Sequence, residues 1–162
     1  MGRWLITTSA LVLGACFVVT VRGQDPGADE AMKLARKLTE EGAATFNTAN
    51  AKAMVDYYTA DAKVTLHSRN DQGITAKEYD GHEEIQGLYA DLFKDRARIR
   101  SKNTVEYARL LAPDVLVIAG TFDPNLDEDK PLKVPFYQVR LKQGDKWLIN
   151  SLQIFVVGEK KE

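Results

Sequence analysis

Residues 133–157 read KVPFYQVRLKQGDKWLINSLQIFVV. Two runs rich in β-branched and aromatic residues, 134–142 and 146–157, flank Gln143-Gly144-Asp145. Strands favour such residues on alternating faces, and a glycine in a short connection supplies the positive φ that a tight hairpin requires. The stretch is therefore a C-terminal β-hairpin, and the rest of the chain reads as material that wraps it.

Working back along the chain, residues 115–122 are a near-continuous apolar strand, as expected in the middle of a sheet. Ala112-Pro113-Asp114 is a turn, and residues 98–111 form a long strand with Val105, Tyr107 and Arg109 opposite Glu106, Ala108 and Leu110. The Pro-bounded acidic run 123–131, DPNLDEDKP, reads as a solvated loop. Before the sheet, Ile85, Leu88, Tyr89, Leu92 and Phe93 recur at helical spacing after Gly81. His82, Glu83 and Glu84 occupy that helix's first turn, where acids suit the positive end of the dipole. Val64 and Leu66 alternate with Lys63, Thr65 and His67, which predicts a strand over 62–67; 68–77 reads as polar loop and 78–80 as a short paired segment.

Further upstream, Ala31, Leu34, Ala35, Leu38, Gly42 and Phe46 give one face of a long amphipathic helix over 28–47. Gly42 is either a weak point in it or a place where another backbone comes close. Asn50 caps a second, shorter helix through Tyr58. The order is helix, helix, strand, helix, then four strands as consecutive hairpins. This is the α+β class: a strongly curved antiparallel sheet with helices on one face, forming a cone plugged by the long N-terminal helix. With 162 residues and 44% hydrophobic content, residues 24–162 form one domain around one core.

The first 23 residues stand apart. Arg3 precedes a charge-free, mostly apolar run over 5–21, and Val21-Arg22-Gly23 then offers a cleavage site before Gln24. This is a secretory signal peptide, which directs the chain to the periplasm or outside. The alternative is an uncleaved anchor, for which the run sits at the short limit of a bilayer span. Leu13-Gly14-Ala15-Cys16 resembles a lipobox, so membrane attachment is expected only if Cys16 is lipidated; the apolar run continues through Phe17-Val18-Val19, where a lipoprotein turns polar. Cys16 is the single cysteine, so a chain starting at Gln24 has no disulfide, catalytic thiol or thiolate metal site. Cleavage removes two of the 22 basic residues, Arg3 and Arg22, and none of the 23 acidic ones, leaving a formal charge of −3. No basic block stands out, so the electrostatic footprint of a nucleic-acid binder is missing. No histidine–carboxylate cluster has metal spacing, no glycine-rich phosphate loop occurs and no Gly-x-Ser-x-Gly elbow is present, so no metal or cofactor is expected.

Three short stretches, in order, resemble one family. They are Tyr57-Tyr58-Thr59-Ala60-Asp61-Ala62, Gly81-His82-Glu83-Glu84-Ile85 and Gly144-Asp145-Lys146-Trp147-Leu148-Ile149. They match the helix-to-strand junction, third-helix start and Trp-bearing hairpin of nuclear transport factor two-like (SnoaL-like, cystatin-like cone) domains, over about 28–157. The resemblance implies a cone with an internal cavity and a sheet face that commonly pairs into homodimers. It does not imply one function, since the superfamily spans isomerases, dehydratases, hydrolases, cyclases and domains without known activity.

Within that frame, His67 at a strand end has the titration range of a general base, against a plain exposed histidine. Asp56 or Asp61 beside Tyr57-Tyr58 offers an acid and a phenol, a base with an oxyanion donor, although Asp61 is more simply a turn residue. His82 reads as surface or capping. Trp147, Ile149, Ser151, Gln153 and Phe155 share one strand parity, which makes Gln153 an amide on an apolar face that needs partners. The family often carries histidine six residues after the tryptophan; glutamine cannot act as a general base. Tyr57, Tyr58, Phe122, Tyr137, Trp147 and Gln153 are the candidate ligand-binding residues, with either the Tyr137 or the Gln138 parity of the neighbouring strand facing inward. The leading expectation is an exported homodimeric cone that binds a small, largely apolar molecule without turnover. The alternatives are an isomerase, dehydratase or cyclase using His67 or Asp56 with a tyrosine, and a module whose sheet face docks a partner protein.

Overall fold

The computed structural model describes residues 26–70, 73–94, 100–124, 126 and 133–157. The expected signal peptide, Cys16 and most of the acidic loop lie outside them. In chain order the elements are α1 (Pro26–Phe46), α2 (Ala51–Val55), β1 (Tyr58–Asn70), β2 (Gly73–Asp80), α3 (Gly81–Phe93), β3 (Lys102–Ala112), β4 (Val115–Asp123), β5 (Val134–Gln143) and β6 (Lys146–Val157). The sheet is open, in the order β2-β1-β6-β5-β4-β3. Every neighbouring pair is antiparallel except β1 with β6, which is parallel.

The helical stripe of α1 lies mainly along β3 and buries Ala31, Ala35 and Phe46 in the same core as Leu116, Ile118, Val64 and Phe136 of the sheet. Phe46 sits at the centre of an aromatic cluster, edge-on to Phe93 and Phe122 at 5.0 Å each and to Tyr89 at 6.3 Å. Edge-to-face pairs of this kind add about 0.5–1.5 kcal/mol each beyond area burial. Two polar tethers fix α1 along β3. The Ser101 backbone N–H and hydroxyl both donate to Asn47 Oδ1 at 2.7 and 2.8 Å, and Asn103 Nδ2 donates to the Thr39 carbonyl at 2.9 Å. At the other end of the sheet, His82 Nε2 donates to the Tyr58 carbonyl at 3.1 Å and ties the start of α3 to β1. That gives His82 an anchoring contact at the helix start.

Two expectations are corrected, and the alternative left open at Gly42 is decided. The segment 68–77 is not loop: β1 runs on to Asn70 and pairs with β2 from Gly73, whose φ of +123° opens the return strand. As an edge strand, β2 is exposed on both faces and so lacks the alternation that marks a half-buried strand. The second helix ends at Val55, because Tyr58 already belongs to β1 and pairs with Ile149. Gly42 has no backbone near it; a Cβ there would meet nothing within 4 Å. The close approach is at Gly120, where a Cβ would run into the Thr104 carbonyl oxygen. There β3 is bulged, with the register slipping between Val105 and Tyr107, and its backbone is pressed onto β4.

The hairpin connection is as the sequence predicts, with Gly144 at φ +59°. The strand after it is not. Pairing of β5 with β6 slips between Val139 and Arg140, so that Ile149 and Ser151 find partners and Asn150 is the extra residue of a bulge. Asn150 Nδ2 instead donates to Thr59 Oγ1 at 3.1 Å. One inserted residue flips every later side chain to the other face. Trp147 and Ile149 face the core as expected, but beyond the bulge Leu152, Ile154 and Val156 face inward while Gln153 and Phe155 face out.

Candidate functional site

The helices and the concave sheet face enclose a cavity of about 290 Å³. Its wall is built from Phe46 and Gly42 of α1, Leu88, Tyr89 and Leu92 of α3, and inward-facing residues of β1, β4, β5 and β6. On β5 the inward parity is Val134, Phe136, Gln138 and Arg140, which settles the choice between the two parities. Among the described residues, the lining holds one formal charge, Arg140, and no carboxylate, imidazole, thiol or ammonium group.

Arg140 is 2% exposed. Its Nε donates to Gln138 Oε1 at 2.7 Å and its Nη1 to the Trp147 carbonyl at 3.2 Å. A guanidinium carries five N–H donors, so these two bonds occupy a minority of them. Among the described residues, no carboxylate lies within 4 Å of it. Burial lowers its pKa to about 10, partly offset by Tyr58, Tyr57, Glu41 and Tyr89, so the group stays charged at neutral pH. The neighbouring phenols of Tyr58 and Tyr89 are buried and lie 2.6 Å apart, oxygen to oxygen. Burial raises the pKa of both, that of Tyr58 well above 10, and both are neutral hydroxyls at neutral pH. In such a pair one hydroxyl donates to the other, and the acceptor's own hydrogen is left for a third group. Arg140 and the phenol pair thus bring spare donors to the cavity wall.

The sequence-derived candidates divide by face. Tyr57, Tyr58 and Phe122 line the cavity. The Tyr57 hydroxyl is held to α1, 2.8 Å from Thr45 Oγ1 and donating to the Glu41 carbonyl at 3.3 Å. Trp147 packs on the core beside the cavity rather than lining it, and offers its carbonyl to Arg140. Tyr137 and Gln153 lie on the opposite sheet face, Tyr137 by strand parity and Gln153 because of the Asn150 bulge. His67 alternates with the cavity-lining Leu66 and so also faces outward. There it donates from Nε2 to Gln153 Oε1 at 2.6 Å and stacks on Phe155 at 4.8 Å, while Gln153 Nε2 donates to Thr65 Oγ1 at 3.2 Å. The buried-amide problem posed by Gln153 is solved on the sheet's outer surface, by His67 and Thr65. Asp56 is exposed at the end of α2. Neither His67 nor Asp56 reaches the cavity, so the acid–phenol constellation expected from them does not assemble. Sequence reasoning left the Gln138 parity open and did not single out Arg140 or Tyr89 as site residues. The one signal that could have found Arg140 is an arginine in the interior of a central strand, where a charge needs a reason.

No protein-family model matches the sequence, and no curated protein matches it either. Solved structures do match its shape. A domain of unknown function with a cystatin-like fold from Nostoc punctiforme superposes with a TM-score of 0.61 at 12% identity, over 78% of this chain and 77% of that one. An NTF-2-like protein of unknown function from Shewanella oneidensis gives 0.61 at 17% identity, over 76% and 98%. The chain has the nuclear transport factor two-like fold. Other structures sharing this cone include a putative calcium/calmodulin-dependent protein kinase II association domain from Xanthomonas campestris, at TM-score 0.58 and 22% identity over 79% of this chain and 88% of that one. Structures described as putative scytalone dehydratase and putative ketosteroid isomerase also share the nuclear transport factor two-like fold. At these identities the likeness is one of fold.

Proposed function

We propose that the protein is an exported cone that holds a small, largely apolar molecule in its cavity and does not transform it. The observation that carries this reading is the cavity lining itself: aromatic and aliphatic walls, donors at one end, and among the described residues no group that could accept a proton near neutrality. General acid–base chemistry needs such a group within reach of the bound molecule. The isomerase, dehydratase or cyclase alternative through His67 or Asp56 finds no support in where those side chains lie. The test is native mass spectrometry of the purified protein after incubation with a metabolite extract, with fluorescence of the neutral apolar dye Nile red as a direct probe of occupancy. Retained small molecules and saturable dye binding support the reading. A cone that neither retains a ligand nor binds the dye overturns it. Export predicts that the mature protein begins at Gln24; a chain beginning at a lipidated Cys16 would replace secretion with membrane anchoring.

We also propose that a second copy of the chain covers the outer sheet face. The helices occupy the inner face, and the outer one presents Tyr107, Tyr137 and Phe155, which are 48%, 41% and 38% exposed. The association domains among the structures of the same fold support self-association.

A further inference from the structure

We infer that the molecule this cone takes is an amphipathic monocarboxylate, with its apolar body against the aromatic wall and its anionic head against Arg140 and the Tyr58–Tyr89 hydroxyls. The inference deepens the cavity-binding reading above and rests on it. It starts from an imbalance of donors and acceptors. Arg140 is a nearly fully buried cation on the cavity wall, with two of its five N–H groups bonded and no carboxylate among the described residues within salt-bridge distance. Burying an unpaired charge is among the least favourable arrangements in a folded chain, and such charges are normally paired. The side-chain acceptor beside it, Gln138 Oε1, is already engaged by Nε. The phenol pair adds one more hydrogen than the pair itself uses. Two kinds of donor, guanidinium and phenol, therefore share one largely apolar chamber whose described wall carries no carboxylate.

The charge count selects the head group. A single guanidinium neutralises a single negative charge, and its planar fork matches a carboxylate through two parallel N–H···O bonds. A dianionic phosphate would leave one charge uncompensated in the same dry space. The wall selects the body: Phe46, Phe122, Leu92 and Ile154 offer only dispersion and area burial. A neutral alcohol of equal length would fill the wall equally well and would leave the guanidinium unpaired. The discrimination between acid and alcohol therefore isolates the role of Arg140.

The experiment displaces Nile red from the purified protein with octanoate and, separately, with 1-octanol at pH 7.5. Octanoate is expected to displace the dye at a concentration at least tenfold lower than 1-octanol. The preference is expected to persist in Arg140→Lys and to vanish in Arg140→Met, with Arg140→Met melting no lower than the wild type, since removing an unpaired buried charge relieves a desolvation penalty. Gly42→Leu, which projects into open space at the cavity wall, should block dye and acid together. Equal displacement by acid and alcohol in the wild type overturns the monocarboxylate while leaving cavity binding intact. A lower melting temperature in Arg140→Met together with an unchanged acid preference assigns Arg140 a purely structural tie and likewise overturns it. No dye binding at all defeats the cavity reading, and the inference falls with it.

Discussion

Tyr58, Tyr89 and Arg140 occupy one chamber, and their titrations act on stability with opposite signs. Each phenol has a folded-state pKa raised above its unfolded value of about 10, chiefly by burial. A raised pKa means that the folded state holds its proton longer, so this contribution is complete below pH 10 and is lost as pH rises beyond it. Arg140 has a lowered pKa, about 10, so its charged form costs stability below that pH and the cost is relieved on going higher. Ionising the buried phenol pair is therefore expected to require unfolding. An absorbance titration at 295 nm should show it: of the six tyrosines in the chain, two should ionise only when the protein unfolds. Six ionisations completed in the folded state would contradict the burial of this pair. The sequence could not announce the chamber. On β5, Pro135, Tyr137, Val139 and Leu141 form a more apolar set than Val134, Phe136, Gln138 and Arg140, yet the second set faces inward. Hydrophobic alternation points the wrong way wherever a binding site replaces core with donors.

At the scale of elements, the hairpin, the helical stripes and the meander of the last four strands could be read directly, because period 3.6, period 2 and a turn glycine are local signals. What escaped were the bulges in the sheet, the parallel pairing of β1 with β6, and an edge. Edge strand β2 carries no alternation because neither face is buried. The bulge on β3 leaves its trace in β4 instead, as Gly120, whose missing side chain admits the Thr104 carbonyl. Gly120→Ala should destabilise the protein by about 1–3 kcal/mol, the usual range for overpacking, because the atom in the way is backbone and cannot rotate aside. A thermal melt unchanged by the substitution would show that the strands part more easily than this geometry allows. The bulge at Asn150 makes a sharper prediction. Deleting Asn150 removes the bulge and leaves Ser151, Leu152, Gln153 and Ile154 opposite Val139, Gln138, Tyr137 and Phe136, so Leu152 and Ile154 still face inward. The deletion loses the Asn150–Thr59 hydrogen bond, worth about 0.5–1.5 kcal/mol, so the protein should still melt cooperatively at a slightly lower temperature. Loss of the cooperative near-ultraviolet circular dichroism transition on deletion would refute this register.

For the molecule as a whole, the cone presents two surfaces of different character: a concave one closed by helices and a convex one on which His67, Gln153, Phe155 and Tyr137 are gathered. If a second copy covers the convex face, Tyr137→Glu combined with Phe155→Glu should convert a dimer to a monomer without lowering Nile red binding, because neither residue touches the cavity. Light scattering after gel filtration reads the mass. A wild-type protein that is already monomeric at micromolar concentration would remove the second copy from the account.

The bulged strand β6 lies between these two surfaces and serves both. Past Asn150 its residues alternate, Leu152 and Ile154 towards the chamber, Gln153 and Phe155 towards the outer face, each side chain one peptide from a residue of the opposite orientation. A guest that presses β6 outward by a few tenths of an ångström would carry the docking residues with it. Filling the chamber and closing the dimer would then be reciprocal events, each altering the other's equilibrium by the same factor.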